Sequence, residues 1–194
     1  MIAALLATAV CLTAPAPAPS DSLAALWRQA RPYAEFIAGV NERQAQWRRV
    51  DSLATVPDGL AVRARGAGRL RLLIVTVYAC GDSINTVPWI AKLAAAAPNL
   101  ELRIAHPDQG RWLMERHRTP DGRAATPTLV VLDEQFNERG CWIERPAELQ
   151  RWYVATGKNL PDNEYMRHKT GWYENDAGRS TLAEVVAVLE GGYC

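Results

Sequence analysis

Near the start of the chain, apolar side chains recur at every third or fourth position. The pattern runs from Asp21 to about Leu53, with Arg, Gln and Glu between the apolar positions. This is the spacing of an amphipathic helix, so the segment predicts helical structure that packs through one face. Pro32 lies inside it. Because proline removes a backbone donor and clashes with the preceding turn, we expect a break or kink there.

Four later segments have the composition of β-strands. "LRLLIVTV" (70–77) is rich in branched aliphatic residues and has no regular polar alternation, which is typical of a strand buried on both faces. "LELRIAHP" (100–107) predicts a second strand. "ATPTLVVLD" (125–133) and "ERGCWIE" (138–144) are separated only by "EQFN", a spacing that indicates a hairpin.

Helical spacing returns between and after these strands. It appears in residues 83–96, in "GRWLMERHR" (110–118) and in "RPAELQRWYVATG" (145–157), where Gly157 is the expected stop. The tail beyond residue 158 predicts one or two more helices. We expect "TGWYENDAGRST" (170–181) to be a loop that packs back on the body of the protein.

The order of these elements is strand, helix, strand, helix, strand, strand, helix. Strands joined through a helix run parallel and a hairpin is antiparallel. The sequence therefore predicts an α/β fold with a four-stranded mixed sheet flanked by helices. We divide the chain into an N-terminal helical extension (21–62), a core (63–157) and a C-terminal helical extension (158–194), preceded by a distinct segment, 1–20.

Charge and composition narrow the function and the location. With 22 basic and 21 acidic side chains, the chain has no excess positive charge for a phosphate backbone, so we expect no nucleic-acid partner. Residues 1–20 contain an uncharged apolar run too short to span a bilayer, followed by alternating Ala and Pro. They predict a cleaved export signal and a periplasmic or secreted protein without an integral membrane span. Since no Lys or Arg precedes the run, a disordered tail on a cytoplasmic protein is the alternative.

The chemistry-bearing residues lie where the predicted strands meet other elements. Cys80, in "ACGDS" (79–83), directly follows the first buried strand, and Thr126-Pro127 opens the third. This arrangement resembles thioredoxin, and it is similar to a bacterial subgroup of the thioredoxin family with an extra N-terminal helix. In that subgroup "W-C-G-D" and "W-G-P-R-P" segments stand where this chain has "ACGDS" and "WIERP" (142–146). The resemblance covers roughly residues 22–190.

The resemblance implies a thioredoxin-like fold in which Pro127 is in the cis form beside Cys80. Thr126 and Pro127 would then bind substrate, because a substrate chain can pair with the backbone there as an added strand. An ordinary trans proline at the start of a strand is the alternative. Two departures from the family pattern matter: Ala79 replaces the usual Trp, and Ser83 stands where a dithiol enzyme has its second cysteine.

Cys80 and Asp82 share the first turn of the predicted helix. The reactive form of cysteine is the thiolate, and the unpaired N–H groups at a helix N-terminus favour an anion. Asp82 is a negative charge in the same turn and opposes this effect. Its role is either proton transfer or that of a helix-start acid stabilised by the helix dipole.

Because residue 83 is a serine, Cys80 cannot form the disulfide that releases substrate in a dithiol enzyme. The Ser83 hydroxyl can still donate a hydrogen bond to the Cys80 sulfur. The sequence therefore predicts a monothiol thiol-disulfide exchange protein acting on protein or low-molecular-weight thiols and disulfides. The alternative is a catalytically inactive binding module that uses the groove beside Pro127.

The remaining cysteines and the histidines complete the prediction. Cys141, in a predicted strand, is expected to be a buried core residue. Cys194 ends the chain and is a resolving thiol for Cys80, a partner for Cys141 or a free end. We predict no metal and no cofactor, because the three histidines share no metal-ligand spacing with each other or with the cysteines.

Overall fold

The computed structural model describes residues 20–192. Apart from Ser20, the expected export signal lies outside the described residues, as does Cys194. Most of the N-terminal region is helical, and a two-residue strand interrupts it at Pro32, where the sequence predicts a break. Its elements are α1 (Ser20–Gln29), β1 (Arg31–Pro32), α2 (Tyr33–Ala38), α3 (Gln44–Leu53) and α4 (Asp58–Gly66).

Strands and helices alternate through the centre of the chain, and helices follow them. The central elements are β2 (Leu70–Val75), α5 (Gly81–Ala96), β3 (Leu100–Ala105), α6 (Pro107–Arg116), β4 (Thr128–Leu132) and β5 (Glu138–Ile143). After them come α7 (Ala147–Ala155), a short 3-10 helix (Gly157–Asn159), α8 (Asp162–Asp176) and α9 (Arg179–Leu189). Within residues 20–192, no helix is long and apolar enough to cross a membrane.

The sheet is mixed, as predicted, but it has five strands in the order β1-β3-β2-β4-β5 rather than four. The β2 and β3 strands are parallel, and the β2–β4 and β4–β5 pairs are antiparallel. The additional strand, β1, pairs antiparallel with β3 at one edge. It is too short to produce a strand pattern in the sequence, and its Pro32 is tolerated because β1 is an edge strand.

Helices cover both faces of the sheet, and β2 alternates between them. Leu72 and Ile74 face a core built with α3, α5 and α9, whereas Leu73 and Val75 face a second core built with α1 and α6. All four side chains have no exposed surface. The prediction that this strand is buried on both faces is therefore confirmed.

The prediction of a loop over residues 170–181 is wrong. These residues form the end of α8 and the start of α9. The two helices are separated only by Ala177 and Gly178, both with left-handed backbone conformations. A Cβ atom on Gly178 would lie 2.1 Å from the Trp89 ring, so glycine allows this turn to pack against α5. The α8 helix places Lys169 and Tyr173 in the interior of the protein.

Candidate functional site

Cys80 caps the N-terminus of α5, the helix that follows β2. Its half-buried sulfur accepts a hydrogen bond from the Ser83 amide at 3.5 Å. The thiol also lies 3.1 Å from the Thr126 carbonyl oxygen, to which it donates. The Thr126–Pro127 peptide bond is cis. The structure thus brings together Cys80, Thr126 and Pro127 from elements more than 40 residues apart in sequence.

Ser83 lies beneath the thiol and is fully buried. Its hydroxyl oxygen accepts a hydrogen bond from the Thr76 hydroxyl. The sequence predicts a bond from the Ser83 hydroxyl to the Cys80 sulfur, but in the structure the backbone amide of Ser83 makes that contact. The reason is geometric: the first turn of α5 directs the Ser83 side chain inward, toward the segment that leaves β2.

Asp82 is buried, with 5% of its surface exposed, and it is held by three side chains distant in sequence. It accepts hydrogen bonds from Lys169 Nζ at 2.6 Å and from the Tyr173 hydroxyl at 2.7 Å. A third, from Arg145 Nη2, is 3.3 Å long. Asp82 lies in the first turn of α5, where the sequence places it, and its carboxylate is enclosed and paired with side chains from α8 and from the segment after β5.

The sequence does not identify these three partners of Asp82. Lys169 and Tyr173 are four residues apart on α8, so they project from the same side of the helix. That spacing was the available signal, but it has no meaning if residues 170–181 are a loop. Arg145 belongs to "WIERP" (142–146), which carries the family resemblance, yet nothing in its sequence surroundings identifies Asp82 as its partner.

The protonation states around Asp82 follow from burial and charge. Burial, reinforced by the adjacent Asp82 carboxylate, raises the pKa of Tyr173 well above its ordinary value of 10.0. The phenol therefore stays protonated and donates. Burial alone would lower the pKa of Arg145, but the carboxylates of Asp82 and Glu144 outweigh it and leave the pKa above its ordinary value. Arg145 is thus a permanent buried cation.

The charged cluster continues from Asp82 to the Pro127 loop. Arg145 contacts Glu144, which in turn accepts hydrogen bonds from Arg123 at 2.8 and 2.9 Å. The Glu144 amide donates to the Pro127 carbonyl at 2.7 Å. Charges of alternating sign therefore connect the two loops that meet at Cys80, and we expect them to fix the relative positions of these loops.

Asp121 ends this chain of charges, and its titration gives a pH-dependent prediction. Its hydrogen bond from Arg123 lowers the pKa of Asp121 from its ordinary value of 3.8 to about 2. Because the folded-state pKa is depressed, the ionised carboxylate stabilises the fold above pH 3.8 and loses this contribution as pH falls toward 2. Denaturant unfolding of wild type and Asp121→Asn should show a stability difference that shrinks over that interval. A difference independent of pH would contradict this assignment.

Two cations lie beside the turn that contains the thiol. Arg43 Nη1 donates to the Ala79 carbonyl at 3.0 Å. A Cβ atom on Gly81 would lie 3.2 Å from Arg43 Nη1 and 3.7 Å from Lys169 Nζ. Arg43 itself precedes α3 with a left-handed backbone, φ 52°. The N-terminal helical region therefore supplies a residue to the Cys80 site, which the sequence does not predict.

Cys80 and Cys141, the two cysteines among residues 20–192, are not bonded to each other. Cys80 is a free thiol. Cys141 is buried on β5, as predicted, with 2% of its surface exposed, but it is disulfide-bonded rather than a simple core thiol. Cys194, for which the sequence leaves a resolving role, a bond to Cys141 and a free end open, lies outside the described residues. Among the described residues, no group of three or more His, Cys, Asp or Glu side chains is arranged to hold a metal ion.

Comparison with known proteins agrees with the family resemblance seen in the sequence. Residues 30–165 match the family described as Thioredoxin, without distinguishing the "W-C-G-D" subgroup. A crystal structure of a Pseudomonas aeruginosa protein of unknown function shares 24% identity at a TM-score of 0.65, covering 87% of this chain and 96% of that chain. An HIV epitope scaffold has the same identity and TM-score, with 87% and 98% covered. At this identity both structures show the fold alone, and no curated protein matches. Since the family match spans most of its length, the chain belongs to the thioredoxin family.

Proposed function

We propose that the protein is a monothiol thiol-disulfide exchange protein acting through Cys80. The observation that carries the proposal is the position of the thiol: half-buried at the N-cap of α5 and 3.1 Å from the Thr126 carbonyl. Cys80 is partly exposed, and so is Thr126, whose backbone a substrate chain would pair with. The exposed Arg43, which donates to the Ala79 carbonyl, places positive charge next to the same turn.

The reaction proceeds by two exchanges. The Cys80 thiolate attacks one sulfur of a substrate disulfide, the substrate S–S bond breaks, and the departing sulfur leaves as a thiolate that takes up a proton. A mixed disulfide now joins Cys80 to the other half of the substrate. Because Ser83 offers no second thiol, an external thiol attacks the mixed disulfide and restores Cys80. The external thiol ends in a disulfide with the released half, which a further thiol reduces.

A binding module is the second candidate, and one observation favours it. The Cys80 sulfur is already engaged by the Ser83 amide and the Thr126 carbonyl, as in a thiol that serves only to link two loops. In that case the groove beside Pro127 would bind an extended chain without covalent chemistry.

Turnover separates the two candidates. We expect the wild type to accelerate the reduction of 2-hydroxyethyl disulfide by excess external thiol, and Cys80→Ser to abolish the acceleration while leaving the fold intact by circular dichroism. Arg48→Gln, an exposed change on α3, is a control that should retain full activity. Equal rates for wild type and Cys80→Ser would contradict exchange through Cys80 and favour the binding module.

A further inference from the structure

A cavity of about 410 Å³ lies beside the Cys80 turn, on the β3 side of the segment that leaves β2. Its volume is within the range of small-molecule sites. The walls come from the ends of β2 and β3 and from the helical region around α2. Its apolar lining includes Phe36, Val77, Tyr78 and Ile104.

The topology explains why a cavity forms there. The parallel strands β2 and β3 are neighbours, but the helices that follow them pack on opposite faces of the sheet: α5 with the core that contains Ile74, and α6 with the core that contains Val75. The chain therefore diverges at the carboxyl ends of these strands and leaves a crevice between them. Crevices at such switch points are where open α/β sheets bind ligands.

Ala79 places the cavity beside the turn that carries the thiol. This residue lines the cavity and is exposed, and Cys80 is the next residue in the chain. Consecutive Cα atoms lie ~3.8 Å apart, so the cavity wall and Cys80 are immediate neighbours. Ala79 adds only a methyl group to this wall, whereas the tryptophan expected from the family resemblance would add a large ring.

The polar lining has uncommitted charges of both signs. Arg31 and Glu42 both line the cavity and are exposed. Among residues 20–192 neither has an ion pair or a side-chain hydrogen bond, whereas His106, also in the lining, is committed to capping α6. An arginine binds a carboxylate with paired donors, and a glutamate binds an ammonium group. The lining of this cavity, with one charge of each sign beside apolar side chains, is complementary to the carboxylate and ammonium groups of an amino acid.

We propose that this cavity is a subsite for low-molecular-weight disulfides that carry an amino-acid group, with Arg31 binding the carboxylate and Glu42 the ammonium. The inference rests on the proposed exchange at Cys80 and adds a substrate class to it. Ligand charge, rather than disulfide reactivity alone, would then decide which small disulfide the protein uses.

Exchange rates with three disulfides test the subsite. Glutathione disulfide carries carboxylate and ammonium groups, cystamine carries only ammonium groups, and 2-hydroxyethyl disulfide is neutral. After division by the rate of each with a free thiol in solution, we expect wild type to prefer glutathione disulfide over the neutral disulfide by about tenfold, the effect of one charge-assisted hydrogen bond. Arg31→Gln should remove the preference by lowering the rate with glutathione disulfide.

Matched controls and a second readout make the result decisive. Arg28→Gln and Glu35→Gln remove exposed charges from α1 and α2 outside the cavity lining, and they should keep the preference. Calorimetry with S-methylglutathione, which has no reactive sulfur, should show binding that Arg31→Gln and Glu42→Gln both weaken. Active wild type without a preference, or S-methylglutathione binding unaffected by both changes, would overturn the subsite. Wild type that is inactive with all three disulfides but binds S-methylglutathione through Arg31 would refute the exchange function and retain the cavity as a binding site.

Discussion

Replacing Asp82 with asparagine should destabilise the protein by about 3–5 kcal/mol, the cost of leaving a buried charge without its partner. The substitution keeps the size of the side chain but removes the negative charge between Lys169 and Arg145. The side chains of both cations are at least nine-tenths buried. Urea unfolding followed by tryptophan fluorescence gives the measurement.

The chain offers a closely matched control for this change. Asp108 occupies the same position in the first turn of α6 that Asp82 occupies in α5, but its side chain is 86% exposed. Asp108→Asn should therefore cost less than about 1 kcal/mol. Adding Lys169→Met to Asp82→Asn should recover part of the lost stability, since it removes one of the uncompensated cations. Similar losses for Asp82→Asn and Asp108→Asn would show that the buried cluster does not hold α8 against α5.

Replacing Ser83 with cysteine should convert the site into a dithiol and increase turnover severalfold. Residue 83 is fully buried, and its amide already contacts the Cys80 sulfur. Sulfur is moderately larger than oxygen, so we expect the fold to accommodate the change. The new thiol would attack the mixed disulfide at Cys80 from within the same chain, at a higher effective concentration than an external thiol.

Turnover against 2-hydroxyethyl disulfide at limiting external thiol tests this expectation. Ser83→Ala is the control at the same position, because it removes the hydroxyl without adding a thiol, and its turnover should remain at the wild-type level. Combining Ser83→Cys with Cys80→Ser should abolish activity. A folded Ser83→Cys protein that is no faster than Ser83→Ala would mean that Cys80 does not form the mixed disulfide.

The parts of the fold that bury a continuous apolar pattern were predictable from the sequence. The β2, β3 and β4 strands follow from their aliphatic residues, and β5 follows from the short hairpin spacing after β4. The β1 strand does not, because a two-residue edge strand has no periodicity of its own. The sequence pattern also does not predict that residues 170–176 form a helix. In this part of α8, polar residues surround the few buried side chains, and Gly171 interrupts the pattern.

The residues of the candidate site likewise fall into those that the sequence predicts and those that it does not. Cys80, Thr126 and Pro127 were predictable because the order of elements resembles thioredoxin, and that resemblance implies that the start of α5 lies next to the start of β4. The partners of Asp82 were not, since they depend on how α8 packs against the body, and no local pattern encodes that contact. A charge in the first turn of a helix is usually exposed, so only the three-dimensional structure distinguishes the buried Asp82 from the exposed Asp108.

The proposed exchange rests on the claim that the fold makes Cys80 more reactive than a free cysteine, and direct trapping of its mixed disulfide tests this claim. The protein and an unfolded peptide containing "ACGDS" would be incubated with the same excess of 2-hydroxyethyl disulfide at neutral pH. The reaction would be stopped by acid at intervals, and the modified fraction of each Cys80-containing peptide would be measured by mass spectrometry. We expect the mixed disulfide to form at Cys80 at least tenfold faster in the folded protein, which corresponds to about 1.4 kcal/mol of transition-state stabilisation, and to disappear when an external thiol is added. Modification of the folded protein no faster than that of the peptide would contradict the claim.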